Sequence, residues 1–489
     1  MAILSRQPVS ISDVVAVARG GDPVSFASVT ERDMRSSRAI VEAALASDEP
    51  VYGLNRELGA GRDVVVSPDR IAEFQARTIR NSSGGIGEPL ALDQVRATIF
   101  ARLAGFARGG AGVTVELARR YASLLNDGVH VHVPRSGSVG AADLTHLAAI
   151  AAVASGSGRV IVDGVTVPGS LDPLALQAHE ALAALSGNSY SVGVGALVLH
   201  DLARIVNASD RVVALSVAAT GGNPSPFSLA IQSAHRSIGQ AASAKRIRAL
   251  LLEPVGEVST QDPVSFRAAP QVHGAFAEAV TAAAASVTLE LNSSTENPLV
   301  DLDTGRMISG GNFQVVGLAI AYDSLRVAIG HVAATSERRI ARISGLQADA
   351  RRAGRTRVPG LLWYSAASLV AEIKSLANPV SLLVTPLSEG VEDHSSNAAL
   401  ALQQLERSAA LTRDVLAIEA ISAAEFVVLG GDIPLSDGLQ ELVDVVAAHL
   451  DEPADALVAA VSKYLFQPDS PPELTGFKEP AADFGSLRD

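Results

Sequence analysis

The chain has no cysteine, a single tryptophan and three methionines, and aromatic residues fill only 4% of its 489 positions. Without cysteine there is neither a disulfide framework nor a thiolate metal site, and nothing speaks for an oxidising compartment. Scarce aromatics beside abundant alanine favour close-packed helices over sheet. Positive charge is short too. The 39 lysines and arginines face 52 aspartates and glutamates, and a net charge of −13 argues against nucleic acid as a partner. No uninterrupted apolar run approaches the length of a membrane span; the richest, such as Val280 to Val287, are short and alanine-rich. The first residues, Met1-Ala2-Ile3-Leu4-Ser5-Arg6-Gln7-Pro8, lack the charged-then-apolar order of a secretion signal. A cytoplasmic protein without membrane or nucleic-acid partners is expected.

Phosphate-binding glycine loops are missing as well. Arg108-Gly109-Gly110-Ala111-Gly112 has the wrong spacing for one and follows a helix rather than a strand. No metal site is expected. His130 and His132 share one face of an extended segment but are too few ligands, and the consecutive Glu392-Asp393-His394 cannot share a helix face.

What the chain does have is helical periodicity. It marks residues 32–48, 69–81, 91–107 and 114–126, the second opened by Ser67-Pro68-Asp69 as cap and first turn. Val129 to Val133 alternates as a short extended piece, and Arg159 to Val167 reads as a hairpin turning at Asp163-Gly164. Beyond residue 173 the pattern is almost wholly helical, with long stretches at 195–219, 269–293, 312–343, 363–377 and 394–427. The expected fold is all-α. An elongated central helical bundle (201–466) follows an N-terminal mixed region (1–200), with a loosely ordered tail over 467–489.

Short motifs stand in a fixed order along this helical frame. They are Tyr52-Gly53-Leu54-Asn55, Gly85-Ile86-Gly87-Glu88-Pro89-Leu90, Gly137-Ser138-Val139-Gly140-Ala141-Ala142-Asp143-Leu144, and Gln261-Asp262-Pro263 with Arg267. Asn297-Pro298-Leu299, Ser309-Gly310-Gly311-Asn312-Phe313, Ser336-Glu337-Arg338-Arg339 and Glu392-Asp393-His394 follow. Through these motifs, from about Val51 to Glu425, the chain resembles the histidine and aromatic amino acid ammonia-lyases. The resemblance implies the helical fold of the fumarase-like superfamily and a homotetramer in which three subunits build each active site. It implies an amino acid-like substrate, with Tyr52 as the base that removes the β-proton. Arg267 would clamp the substrate carboxylate, and Glu392 would lie near its amine. Further substrate contacts are implied at Ser82, Ser186, Asn312 and Phe313.

The resemblance breaks where the family makes its electrophile. There an Ala-Ser-Gly triad cyclises to methylidene-imidazolone (MIO), which needs a serine hydroxyl to lose and glycine-like freedom at the third position. Here the loop runs Gly140-Ala141-Ala142-Asp143, one residue short and without serine, so no MIO cofactor is expected. A literal Ala154-Ser155-Gly156 downstream reads as a helix C-terminus. Other departures surround the loop. Arg56 and Glu57 replace small residues beside the base, Ser82 takes the selectivity position, and Ser186 falls in the cofactor-supporting segment. Val264 replaces a second tyrosine and Val391 a glutamine. Arg56 and Glu57 either read a polar substrate or pair with each other.

The leading expectation is a lyase-type enzyme acting on an amino acid or related carboxylate. It would abstract a proton without MIO and complete an elimination, a conjugate addition or a cyclisation. Acid–base and electrostatic help contribute only ~10²–10⁴-fold for each group, so the substrate must bring its own activation. Two alternatives stand beside it: a catalytically silent homologue that binds ligand or assembles with an active paralogue, and a true amino acid ammonia-lyase.

Overall fold

The computed structural model describes residues 1–47, 49–252, 259–431 and 433–467. After a short helix at Ile11–Ala18, the helices that precede the bundle are α1 (Ser28–Leu45), α2 (Ile71–Ser82), α3 (Leu92–Ala107), α4 (Val115–Asn126), α5 (Leu144–Ala154) and α6 (Glu180–Leu185). The bundle is built from α7 (Ser189–Ala219), α8 (Ala269–Leu291), α9 (Val316–Leu346), α10 (Leu362–Leu376) and α11 (Ala398–Gly430). Among the described residues strands occur only in pairs, such as β1 (Ile86–Pro89) with β2 (Pro134–Ser136) and the hairpin β3 (Arg159–Val162) with β4 (Val165–Pro168). The class is all-α.

Most expected helices lie within a few residues of their places, and the differences have local causes. Pro68 opens a 3₁₀ turn, Pro68–Arg70, before α2 begins at Ile71. The extended piece expected over Val129 to Val133 contributes a single bridge, Val131 to Val160. Pairing with β1 begins only at Pro134. Helix α7 starts at Ser189 rather than 195, and the early turns keep Gly193 and Gly195 because neighbours crowd them. A Cβ on Gly193 would sit 2.3 Å from the Ala97 carbonyl of α3, and one on Gly195 1.8 Å from the Tyr322 hydroxyl of α9. Residue 200, the expected end of the N-terminal region, lies inside α7. Of the tail expected over 467–489, only Gln467 falls among the described residues.

Helix α7 is buried along nearly its whole length, with only a polar stripe of His200, Asp201, Arg204, Asn207 and Arg211 partly exposed among its polar residues, which makes it the axis of the bundle. Helices α8 and α11 pack along it, and α9 packs along α11. By length and composition alone three helices could cross a membrane, contrary to the expectation from uninterrupted runs: Glu180–Ala219, α8 and α9. Periodic polar positions hide such stretches from a search for runs. The apolar window of the first is 100% buried, so packing accounts for it; those of α8 and α9 are 39% and 50% buried. Charge is also built into the bundle. Arg339 of α9 and Glu419 of α11 are both fully buried and meet through bonds of 2.5 and 2.8 Å, with the Ser216 hydroxyl of α7 donating to the same carboxylate at 2.7 Å.

Candidate active site

Three loops, the segment from Asn297 to Phe313 and the faces of α2 and α6 enclose one large cavity. The first loop starts at Tyr52. Asn55 locks its turn: the side-chain carbonyl accepts from the Val51 N–H at 2.8 Å, and the side-chain amide donates to the Glu49 carbonyl at 2.9 Å. This is the physical content of the Tyr-Gly-x-Asn motif, with Gly53 in the left-handed region at φ +70°. The Tyr52 hydroxyl accepts the Gly59 N–H at 2.9 Å. Burial raises the Tyr52 pKa above its ordinary value; the Gly59 bond opposes this, and the nearby Glu392 charge adds to it. The phenol is therefore held in its neutral form more firmly than that of a free tyrosine.

Arg56 and Glu57 do not pair with each other. Glu57 reaches across to Arg77 of α2 at 2.7 Å, whereas the Arg56 guanidinium donates to the Asn55 carbonyl at 2.9 Å. The face of α2 contributes Phe74, Arg77, Thr78, Asn81 and Ser82 to the cavity, the spacing of one helical side.

The second loop is the one that resembles the MIO segment. Its ends are pinned. The Ser138 hydroxyl donates to the Asp143 carboxylate at 2.7 Å, and the same carboxylate accepts the Ser191 N–H at 2.8 Å, at the exposed donors of the α7 N-terminus. Ser396 donates to the Gly140 carbonyl at 2.8 Å, and the Asn397 N–H bonds the Val139 carbonyl at 2.9 Å. Gly140, at φ +83°, leaves no room for a side chain: a Cβ would stand 2.3 Å from the Ser396 hydroxyl. Between these anchors Ala141 and Ala142 face the cavity, Ala142 at φ +60°.

These residues do not fit the MIO group. Neither alanine has a β-leaving group, the only hydroxyl in the loop is engaged with Asp143, and the Asp143 N–H is bonded to the Gly187 carbonyl at 2.8 Å. The literal Ala154-Ser155-Gly156 closes α5. Ser155 donates to the Ala152 carbonyl at 3.0 Å, Gly156 has φ +91°, and none of the three lines the cavity.

The third loop carries Glu392, which faces the cavity, while the carbonyl of His394 is held by the Gln314 amide at 2.8 Å. The loop also clasps the first, since the Ser388 hydroxyl accepts the Ala60 N–H at 3.1 Å.

The cavity measures about 800 Å³. It brings together Tyr52, Arg56, Ser82, Ala141, Ala142, Ser186, Phe313 and Glu392. Gly140 and Asp143 lie behind its wall as anchors. Asn312 points away, its amide donating to the Ser294 carbonyl at 3.3 Å. Arg267 is absent from this wall. It closes the short helical turn Val264–Arg267, which packs on α8 and α9, and its Nε is buried without a partner. Arg62, Arg77 and Asn297 join the site without having been expected. The helical face of α2 was the available signal for Arg77; Asn297, whose N–H donates to the Ser186 hydroxyl at 2.9 Å, stood in the Asn297-Pro298-Leu299 motif without being assigned to the site. Among the described residues no group of three metal-ligating side chains occurs, and His130 instead lies 3.3 Å from the Leu90 carbonyl.

A long α-helical bundle whose loops bring a tyrosine, a glutamate and a short glycine-rich segment to one cavity is the architecture of a lyase. The chain belongs to the aromatic amino acid lyase family, whose model matches residues 9–448. It is 35% identical to histidine ammonia-lyase of Gloeobacter violaceus over 92% of both chains. It is 34% identical to that of Symbiobacterium thermophilum over 85% of this chain and 86% of the other. Among solved structures it resembles the ergothioneine-degrading ergothionase of Treponema denticola, with TM-score 0.89 and 25% identity over 97% of this chain and all of that one. It also resembles histidine ammonia-lyase of Trypanosoma cruzi, with TM-score 0.85 and 25% identity over 95% and 93%.

Proposed function

We propose that the protein is a carbon–nitrogen lyase for a histidine-like amino acid whose nitrogen is already activated as a leaving group. Tyr52, as phenolate, takes the proton from the β-carbon. The released electron pair forms the Cα=Cβ double bond, the Cα–N bond breaks, and the nitrogen leaves with its bonding pair. Glu392 faces the nitrogen and favours a cationic one. The carrying observation is the pinned Gly140–Asp143 loop, which presents two alanines where an electrophile would be needed. A quaternary nitrogen leaves as a neutral amine without further help, and such a cation beside Tyr52 lowers the phenol pKa. Ergothioneine, named for the structural neighbour, is a betaine of this kind.

The relatives named histidine ammonia-lyase favour a second reading, ammonia elimination from histidine itself. Intact mass and parallel turnover assays separate the two. The expected outcome is an unmodified mass, with the histidine trimethylbetaine consumed and histidine untouched. A mass short by two waters with histidine turnover establishes the second reading; no turnover of either leaves a silent homologue.

We further propose a cytoplasmic homotetramer with shared sites. The half-covered apolar faces of α8 and α9 supply contact surface. A neighbouring subunit would bring Arg267 to the cavity that this subunit leaves without it.

A further inference from the structure

We propose that Arg56 is a specificity residue that receives an anionic group on the substrate's side chain, so that the preferred substrate is an amino acid with an acidic side chain such as a sulfonate, thiolate or carboxylate. This rests on the lyase reading above.

The cavity wall holds three guanidinium groups, Arg56, Arg62 and Arg77, and three carboxylates, Glu57, Asp63 and Glu392. Most of these charges are matched. Arg77 binds Glu57 at 2.7 Å, Arg62 lies 3.9 Å from Asp63, and Glu392 stands by Tyr52 at the end where the nitrogen leaves. Among the guanidinium groups Arg56 is the exception, as Glu392 is among the carboxylates of the wall. Its single bond is to a neutral carbonyl, that of Asn55, and it forms no ion pair among the described residues. Four of its five N–H donors remain for a ligand.

The position is also held in place. The Arg56 N–H bonds the Val51 carbonyl at 3.2 Å, its own carbonyl accepts the Gly53 N–H at 3.0 Å, and its backbone bridges both Tyr52 and Val65. A partly buried cation pays desolvation unless something compensates it. The planar fork of arginine suits an oxyanion better than any other side chain. Thr78, Asn81 and Ser82 on the facing helix add neutral donors suited to the same group. If Arg267 of a neighbouring subunit takes the α-carboxylate, the free guanidinium of Arg56 answers a second anion, which a plain imidazole or phenyl side chain does not offer.

The test uses unreactive product-like ligands, so it needs no turnover. Calorimetry compares 3-(imidazol-4-yl)acrylate with its 2-sulfonate derivative on the wild type, Arg56→Gln and Arg56→Lys. The wild type should bind the sulfonate roughly 10- to 100-fold more tightly, the range of a charge-assisted bond. Arg56→Gln should lose that preference while keeping its affinity for the unsubstituted acrylate, and Arg56→Lys should retain most of it. No preference in the wild type, or equal weakening of both ligands in Arg56→Gln, overturns the proposal. Should Arg56→Gln not fold, an undiminished preference in the absence of Arg56, read from Arg56→Met, does the same. A protein that shows the preference yet eliminates nitrogen from no substrate sinks the lyase reading alone.

Discussion

Tyr52 is the base in the proposed reaction, and its environment sets a sign for pH dependence. Burial and Glu392 hold the phenol neutral, with a pKa raised above ~10. A base must be deprotonated, so kcat/KM should climb with pH from neutrality into the alkaline range. Tyr52→Phe should remove that climb and lower the rate by at least ~10²–10⁴-fold, with an unchanged thermal melt. A flat profile in the wild type, or a surviving rate in the variant, removes Tyr52 as the base. The places of Tyr52, Phe313 and Glu392 on the cavity were legible because local motifs fix their backbone. Asn55, for example, bonds within four residues of itself in the chain toward Val51. The fate of Glu57 was not legible. Its partner Arg77 lies 20 residues away on another helix, and a sequence does not say which of several arginines a carboxylate will meet.

At the scale of elements, the helices were readable from periodicity, whereas their exact starts depended on contacts across the fold. Residues 394–397 carry a helical pattern but are spent on holding the Ala141 loop through Ser396 and Asn397, so α11 begins at Ala398. The buried pair Arg339–Glu419 was equally hidden, since nothing local separates it from surface charge. Glu419→Ala strands a guanidinium in the bundle and should cost ~3–5 kcal/mol in chemical denaturation. Replacing both partners with leucine should cost much less. A single variant as stable as the wild type would show that solvent reaches Arg339.

For the whole molecule the proposed homotetramer raises the question of what one subunit leaves to another. Arg267 was expected to clamp the substrate carboxylate and lies away from the Tyr52 cavity in the chain's own fold. Tyr52→Phe and Arg267→Ala should each be inactive, yet subunits mixed after dissociation should regain part of the wild-type rate, because some shared sites then hold both intact residues. No recovery, in a sample that sedimentation shows to be a mixed tetramer, would confine the site to one chain. Helix α7 adds a last consequence. With 31 residues at ~1.5 Å each it is a rod of roughly 46 Å. Ser191 at one end grips the Ala141 loop through Asp143, and Ser216 near the other grips the buried charge of the bundle. Mutations that rewrite the loop therefore fall far from those that would unravel the bundle. A lineage can trade one chemistry for another at the tip while inheriting the shaft unchanged.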